Sequence, residues 1–343
     1  ARLMKVLTPS KDRVEPKCPV ARQCGGCQIQ EMRYEAQLAF KQKMVQNNLE
    51  RIGGLTGFEM YPVIGMETPY AYRNKAQFPV GEDKDGNIVI GFYAGRTHHI
   101  VEQTDCCIGA PENSEVLRKV KAYMQKNQIR PYNEEHHSGI VRHILIRTGY
   151  HTKEIMVCLI VNAAKASCLK NAEQLTESLR EMDGMTSVMV NFNTEKTNVI
   201  LGKKSEVLWG QPYIEDFIGD VKYQISPQSF FQVNPMQTEK LYAKALEYAG
   251  LTGNETVWDL YCGIGTISLF LAKNARKVYG VEIVPQAIED ARNNAKRNGI
   301  DNAEFFVGKA EEVVPAFYEK ALKQAQDSEA GKSIRPDVVV VDP

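Results

Sequence analysis

The C-terminal part of the 343-residue chain predicts a Rossmann-like α/β domain, and three observations support this prediction. First, a short apolar run at residues 257–259 leads through a glycine turn into an amphipathic segment at residues 266–274. Second, another apolar run follows at residues 277–281, which gives the strand, turn, helix, strand order of a parallel β-α-β unit. Third, apolar runs at residues 304–307 and 337–342 predict a third and a fourth strand of the same sheet.

The turn in this unit predicts a nucleoside-binding site. Gly263 and Gly265 allow the backbone to pass close to a ligand. Glu282, about twenty residues beyond the first glycine, can accept hydrogen bonds from both hydroxyls of a ribose. The third glycine of the dinucleotide fingerprint is absent, because Thr266 and Ile267 follow Gly265. S-adenosylmethionine, which has no pyrophosphate, is therefore favoured; a dinucleotide and a sheet corner that binds nothing are the alternatives.

Length and composition indicate a globular protein with two or more domains. Hydrophobic residues make up 43% and charged residues 24% of the chain, and the net charge of zero gives no overall attraction to nucleic acid. No apolar run approaches the roughly 18 residues of a membrane span, and no signal peptide is visible. We therefore expect a cytoplasmic protein. The chain begins at Ala1 within a strand-like pattern, so we also expect an upstream segment.

The cysteines are clustered in a way that indicates a metal site. A reducing compartment disfavours a disulfide framework for the eight cysteines. Cys18, Cys24 and Cys27 lie close together in sequence and are one thiolate short of a four-thiolate site, so Cys106 or Cys107 could supply the fourth ligand. An iron–sulfur cluster and a zinc ion would use the same residues, and both stay open at this point. A trio of free structural cysteines is the third alternative.

The central part of the chain predicts an α+β region. The predicted helices are at residues 28–51, 112–128 and 168–181, and the predicted strands are at residues 72–80, 88–94, 98–102, 140–150, 154–162, 187–192, 198–201 and 221–225. Residues 70–75 interleave tyrosines with cations, a mixture that suits RNA, although a strand with a solvated edge explains it equally well. Asn234 before Pro235 predicts the cap of a further helix at residues 236–249.

Five motifs, taken together and in this order, resemble those of the RNA uracil-5-methyltransferases. They are Cys18-x5-Cys24-x2-Cys27, the run at residues 72–75, SFFQVNP at residues 229–235, DLYCGIGT at residues 259–266 and the terminal VVVVDP. The match spans essentially the whole chain. Because of its cysteines, the chain most resembles the iron–sulfur branch that methylates uridines in 23S ribosomal RNA. The same reaction on tRNA is one alternative, and a non-catalytic iron–sulfur RNA-binding module is the other.

The resemblance implies a set of ligand-binding residues. Gln232 would contact the methionine end of S-adenosylmethionine, Glu282 its ribose, and Asp342 would lie beside both the cofactor and the target base. The implied cofactor set is Gln232, Tyr261, Gly263, Gly265, Thr266, Glu282 and Asp342. For a [4Fe–4S] cluster, the implied ligands are Cys18, Cys24, Cys27 and Cys106, the last because the Cys106-Cys107-Ile108 run matches the family at Cys106.

The resemblance also implies how the chain is divided. Residues 1–7 would be the remnant of an upstream TRAM-like β-barrel and residues 8–228 an α+β RNA-handling domain with the iron–sulfur cluster. Residues 229–343 would be a Rossmann-like class I methyltransferase domain cut after its fourth strand. The nucleophilic cysteine and the general-base glutamate are then expected downstream of Pro343, so that no catalytic residue lies in this chain and Cys262 is not the nucleophile. The expected partner of this monomer is 23S rRNA, with neither DNA nor a membrane.

Overall fold

The computed structural model describes residues 5–325 and 336–342. Its largest element is a seven-stranded mixed sheet. The strands are β1 (Lys75–Glu82), β2 (Ile88–Tyr93), β3 (Ile100–Glu102), β4 (Val141–Thr148), β5 (Ile155–Val161), β6 (Met185–Phe192) and β7 (Lys204–Gly210). Their order across the sheet is β3-β2-β1-β4-β5-β6-β7. Among the described strands of this sheet, β5 and β6 form the one parallel pair. A parallel pair needs a crossover connection, and here that connection contains a helix.

Strand β5 lies between two hydrophobic cores. Every residue of β5 is buried, as expected for its uninterrupted apolar sequence IMVCLIV. Val157, Leu159 and Val161 pack into a core that also contains buried residues of two helices, α2 (Asn113–Lys126) and α3 (Ala172–Arg180). The residues that alternate with them, including Cys158 and Ile160, pack into the core of the C-terminal domain. The central sheet therefore forms one wall of that domain.

The C-terminal domain is built on the predicted parallel sheet. Its strands are β10 (Thr256–Leu260), β11 (Lys277–Glu282), β12 (Ala303–Val307) and β13 (Val338–Val341), in the order β12-β11-β10-β13. A separate antiparallel hairpin of β8 (Ile214–Ile218) and β9 (Val221–Ile225) packs into the same core. The helices are α4 (Pro235–Ala249), α5 (Thr266–Ala272), α6 (Pro285–Arg297) and α7 (Ala310–Ala325). The predicted α/β fold and its four strands are confirmed.

The N-terminal region contains one helix, α1 (Tyr34–Asn47), which continues into a π-helical turn at Asn48–Ile52. The predicted start of this helix at residue 28 is wrong, because residues 28–33 form turns against the preceding loop. One of these turns is closed by the Met32 N–H, which donates to the Ile29 carbonyl. No helix of the described residues is long and apolar enough to cross a membrane.

Two differences from the prediction concern the end of the central region. The predicted strand at residues 198–201 is a loop, whose Val199 and Ile200 carbonyls accept hydrogen bonds from Asn193 Nδ2. Strand β7 was missed because, at the edge of the sheet, it is largely exposed and its sequence KSEVLWG lacks apolar alternation. Strand β8, IEDFI, was missed because Asp216 occupies the middle of its three buried positions and interrupts the apolar alternation.

Candidate functional site

The loop between β10 and α5 has a backbone that its glycines make possible. Tyr261, Gly263 and Gly265 all have positive φ, at 68°, 54° and 80°. A Cβ atom on Gly265 would lie 3.1 Å from Phe305 Cζ and 3.2 Å from Ala291 Cβ, so a side chain there would be strained in conformation and crowded by its neighbours. The turn therefore packs closely against the body of the domain.

Two buried tyrosines hold the end of this loop. The Tyr242 hydroxyl donates to Thr266 Oγ1 over 2.8 Å, and the Tyr223 hydroxyl donates to the Thr266 carbonyl over 2.9 Å. Tyr223 comes from β9 and Tyr242 from α4, so two separate elements fix one residue. Asn234 caps α4 by accepting from the Gln237 N–H, which confirms the predicted cap and its Pro235. The first position of α5 is thus pre-organised before any ligand binds.

Most of the predicted cofactor residues lie around one small cavity at the carboxyl end of the sheet. The cavity measures about 50 Å³. Among its lining residues are Phe230, Asp259, Tyr261, Gly263, Thr266 and Asp342. In α/β sheets, ligands bind at this end of the strands, so the place agrees with the predicted function.

Glu282 does not line this cavity but lies next to it, at the end of β11. Its carboxylate accepts from the Gly263 N–H over 3.2 Å and from the Val284 N–H over 3.0 Å. A carboxylate offers about four lone-pair sites, so the side chain can still accept from a ribose. The glutamate is therefore linked to the glycine turn on one side and available to a ligand on the other.

Gln232 is also outside the cavity lining, two residues after Phe230, which does line it. The segment at residues 229–234 is held by residues of the central region. The Gln232 carbonyl accepts from Asn74 Nδ2 over 3.0 Å, and the Val233 carbonyl accepts from the Asn74 N–H over 3.0 Å. The Arg147 guanidinium, which is buried, donates to the Ser229 carbonyl. Residues of the central sheet thus determine where this segment lies.

Asp259 is a site residue that the sequence reasoning missed. It ends the apolar part of β10, is only 1% exposed, and accepts a hydrogen bond from Ser268 Oγ. Burial raises its pKa to about 7, and the nearby charges of Asp342 and Glu282 act in the same direction, whereas Ser268 lowers it. An aspartate inside the otherwise apolar run VWDL was the available signal. The cavity therefore contains a carboxyl group that titrates near neutral pH.

We predict that Asp259→Asn makes the protein's stability less dependent on pH. Between about pH 4 and pH 7 the folded state keeps a proton that the unfolded chain has released, so the free energy of unfolding falls as the pH rises. The change is at most about 1.4 kcal/mol for each pH unit. Urea unfolding of wild type and variant across this window measures it, with the exposed Asp301→Asn as the control. Equal slopes in wild type and Asp259→Asn would contradict the raised pKa.

Five of the cysteines also lie around a common cavity. It has a volume of about 330 Å³ and is lined by Cys18, Cys24, Cys27, Cys106 and Cys107. Residues 18–27 are placed by contacts with β2 and its continuation: the Gly25 N–H donates to the Tyr93 carbonyl, and Cys24 forms an isolated bridge with Ala94. The fold thus brings the four predicted ligands together, and Cys107 with them.

N–H groups point at three of these sulfurs. The Gly26 N–H lies 3.4 Å from Cys24 Sγ, Gln103 Nε2 lies 3.5 Å from Cys18 Sγ, and Gln30 Nε2 lies 3.6 Å from Cys107 Sγ. Amides in this arrangement stabilise thiolates and tune bound iron–sulfur clusters.

The cavity also has a positive side. Arg73 and Lys75 line it, and no Asp or Glu is among its described lining residues. Burial lowers the pKa of Lys75 to about 8, and the charges of Arg147 and Arg73 lower it further. Burial raises the pKa of Cys107 to about 11, and the charges of Cys18, Cys106 and Cys27 act in the same direction. A cavity that is lined by thiols and cations and has no carboxylate in its described lining is suited to an anionic group.

The cysteine cavity does not hold its ligands as a single metal ion would. A zinc ion draws four thiolates to about 2.3 Å from one centre. Within residues 5–325 and 336–342, no three His, Cys, Asp or Glu side chains are grouped closely enough to hold one ion. The metal ligands named from the sequence therefore stay predictions.

Comparison with known proteins decides the family. The profile of the tRNA (uracil-5-)-methyltransferase family matches residues 33–343. The chain belongs to this family. An uncharacterized RNA methyltransferase of Halalkalibacterium halodurans is 50% identical to it over all 343 residues, which cover 71% of that protein. One from Bacillus cereus is 51% identical over 322 residues, 94% of this chain and 69% of that protein.

A solved structure agrees with this assignment. The Pyrococcus abyssi tRNA (uracil-54, C5)-methyltransferase, in complex with S-adenosyl-L-homocysteine, is similar with a TM-score of 0.71 and 30% identity. The similarity covers 89% of this chain and 67% of that one. The chain is thus an RNA uracil methyltransferase, which confirms the predicted family and its α/β fold. The rRNA target and the iron–sulfur cluster are not decided by these comparisons.

Proposed function

We propose that this methyltransferase forms 5-methyluridine in 23S ribosomal RNA and carries a [4Fe–4S] cluster on Cys18, Cys24, Cys27 and Cys106. The proposal is supported by the presence of two cavities in the same chain. One is lined by five cysteines, and the other, the cofactor cavity, is lined by most of the predicted cofactor residues. By the resemblance described above, that combination is typical of the branch acting on rRNA. A tRNA substrate is the second candidate, and the similarity to the Pyrococcus tRNA enzyme favours it.

We assign the cysteine cavity to a cluster rather than to a single zinc ion. Each thiolate of a [4Fe–4S] cluster binds a different iron, so its ligands lie further apart than those of one ion. The cavity of about 330 Å³ leaves space between the sulfurs, and Arg73 and Lys75 would offset the negative charge of four thiolates. Methyl transfer involves no change of oxidation state, so we assign the cluster a structural role.

The reaction requires a thiolate, because uracil C5 becomes nucleophilic only when a thiolate adds to C6. S-adenosylmethionine supplies the methyl group as an electrophilic sulfonium. A base then removes the C5 proton, and the thiolate leaves as the double bond re-forms. Within the chain, Glu282, Asp342 and the segment that contains Gln232 would orient the methyl donor and the target uracil. The nucleophile and the base themselves stay predicted downstream of Pro343.

Cys262 is a poor candidate for this nucleophile. It is 5% exposed, and burial raises its pKa well above the usual value, as do the charges of Asp259 and Glu282. A thiol with a raised pKa is protonated at neutral pH, and the protonated form does not attack.

We therefore expect Cys262→Ser in the full-length protein still to form a covalent adduct with RNA containing 5-fluorouridine. The fluorine cannot leave as a proton does, so the C6 adduct accumulates once methyl transfer has occurred. The adduct is measured as a band that survives denaturing electrophoresis, and unmodified RNA is the control. Complete loss of the adduct, with folding and S-adenosylmethionine binding intact, would make Cys262 the nucleophile.

The substrate is tested with the full-length protein, labelled S-adenosylmethionine, and separate rRNA and tRNA that lack 5-methyluridine. We expect label in 23S rRNA, at C5 of uracil by nucleoside analysis. Label in tRNA alone would establish the second candidate. Binding of either RNA with no transfer at all would favour the non-catalytic module and overturn the proposal.

A further inference from the structure

One short stretch of chain, residues 71–74, connects the cysteine cavity with the segment that borders the cofactor cavity. On one side of this stretch, the Ala71 N–H donates to the Cys107 carbonyl over 2.9 Å and the Arg73 N–H donates to the Ile108 carbonyl over 3.0 Å. Arg73 also forms an isolated parallel bridge with Gly109. The loop that carries Cys106 and Cys107 is therefore bound along this stretch in the manner of a neighbouring strand.

The next residue, Asn74, makes contacts with the cofactor segment instead. Its N–H donates to the Val233 carbonyl and its Nδ2 donates to the Gln232 carbonyl, both over 3.0 Å. Its own carbonyl accepts from the Thr148 N–H over 2.8 Å, which fixes the residue to the end of β4. Two adjacent residues, Arg73 and Asn74, thus hold the loops of two different sites.

The Asn74 side chain is built for this contact. It is 8% exposed, and its amide orientation is fixed, because only an NH2 group can donate to the Gln232 carbonyl. This orientation leaves Asn74 Oδ1 buried without a hydrogen-bond partner among the described residues.

The segment that Asn74 holds borders the cofactor cavity through Phe230. Both ends of the segment are anchored: Arg147 donates to the Ser229 carbonyl at one end, and Asn234 caps α4 at the other. Between these two anchors, Asn74 makes the hydrogen bonds described for the Gln232 and Val233 carbonyls. A movement of residues 71–74 would therefore be transmitted to Gln232.

We infer that Asn74 is a positioning residue for S-adenosylmethionine and that residues 71–74 couple cofactor affinity to the loading of the cysteine site. The inference rests on the proposed cluster and on the proposed role of Gln232. When the cysteines are ligated, the loop with Cys106 and Cys107 is fixed, residues 71–74 are fixed along it, and the Gln232 segment is held ready. Without a ligand, ordering this segment is left to the methyl donor, which lowers its apparent affinity.

The experiment measures S-adenosylmethionine affinity by calorimetry for the loaded and the chelator-stripped full-length protein. We expect loading to increase the affinity of wild type by at least about fivefold. In Asn74→Ala the loaded protein should bind about fivefold or more weakly than loaded wild type, and stripping should change its affinity by less than about twofold. The control is Asn162→Ala, which removes a hydrogen bond to the Gly139 carbonyl elsewhere in the central sheet and should behave like wild type.

A second measurement avoids dependence on stripped protein. Because linkage is reciprocal, saturating S-adenosylmethionine should slow the loss of cluster absorption to a chelator in wild type and in Asn162→Ala, but not in Asn74→Ala. Equal affinities of loaded and stripped wild type would overturn the coupling, and so would a loading effect that persists in Asn74→Ala. A colourless protein whose affinity still falls in Asn74→Ala would overturn the coupling but keep Asn74 as a positioning residue. Absence of S-adenosylmethionine binding in every form would overturn the proposed function itself.

Discussion

In the Glu282→Ala variant, S-adenosylmethionine affinity is expected to fall by at least about tenfold. The Glu282 carboxylate lies at the end of β11, beside the glycine turn, and retains lone pairs for the two ribose hydroxyls. Hydrogen bonds to a charged group contribute roughly 1.5–3 kcal/mol each, so the loss of even one accounts for the expected change. The same carboxylate accepts from the Gly263 and Val284 N–H groups, so its removal also loosens the turn. Calorimetry of the full-length protein measures the dissociation constant.

Two further variants serve as controls for the loss of the Glu282 carboxylate. Glu282→Gln keeps the size of the side chain and one acceptor oxygen, so its affinity should lie between those of wild type and Glu282→Ala. Glu289→Ala removes an exposed carboxylate from α6 and should leave the affinity unchanged. If Glu282→Ala bound the donor as tightly as wild type, the ribose would be held by other residues.

Anaerobically prepared Cys106→Ser protein is expected to lose the brown colour and the absorption at about 400 nm that iron–thiolate charge transfer would give wild type. Both Cys106 and Cys107 line the cysteine cavity, and the family resemblance selects Cys106 as the fourth ligand. Gln30 Nε2 lies 3.6 Å from Cys107 Sγ. Cys107→Ser should therefore keep its colour, and iron and sulfide analysis gives the stoichiometry.

The pair of variants tests both the ligand and the type of metal. If Cys107→Ser were pale and Cys106→Ser brown, Cys107 rather than Cys106 would be the fourth ligand. Wild type that is colourless and contains one zinc ion per chain would exclude the cluster and establish the zinc alternative that the cysteine spacing left open.

The parts of the fold that the sequence predicted well are those whose patterns are local. The β-α-β unit around Gly263 combines two apolar strands, a glycine turn and an acidic residue at fixed spacing, and each of these depends on neighbouring residues alone. The edge strand β7 has no such pattern, because its exposed side chains are under little constraint and its pairing with β6 is decided by residues far away in sequence. The hairpin strand β8 was missed because the buried Asp216 interrupts its apolar alternation.

The candidate site shows the same division. The resemblance supplied Tyr261, Thr266 and Asp342, and the structure places all three on one cavity. Asp259 and Asn74 were missed because their importance comes from tertiary contacts, namely the burial of a carboxyl group beneath the glycine turn and a hydrogen bond to a segment 158 positions away. Periodicity carries no information about either.

The position of β5 between two cores has a consequence for how the protein unfolds. Leu159 and Ile160 are neighbours on one strand, yet one packs with the helices of the central region and the other with the methyltransferase domain. Neither half can melt without exposing the wall that it shares with the other. We therefore expect the two halves to unfold as one cooperative unit, in which damage to the central region lowers the population of the whole folded enzyme.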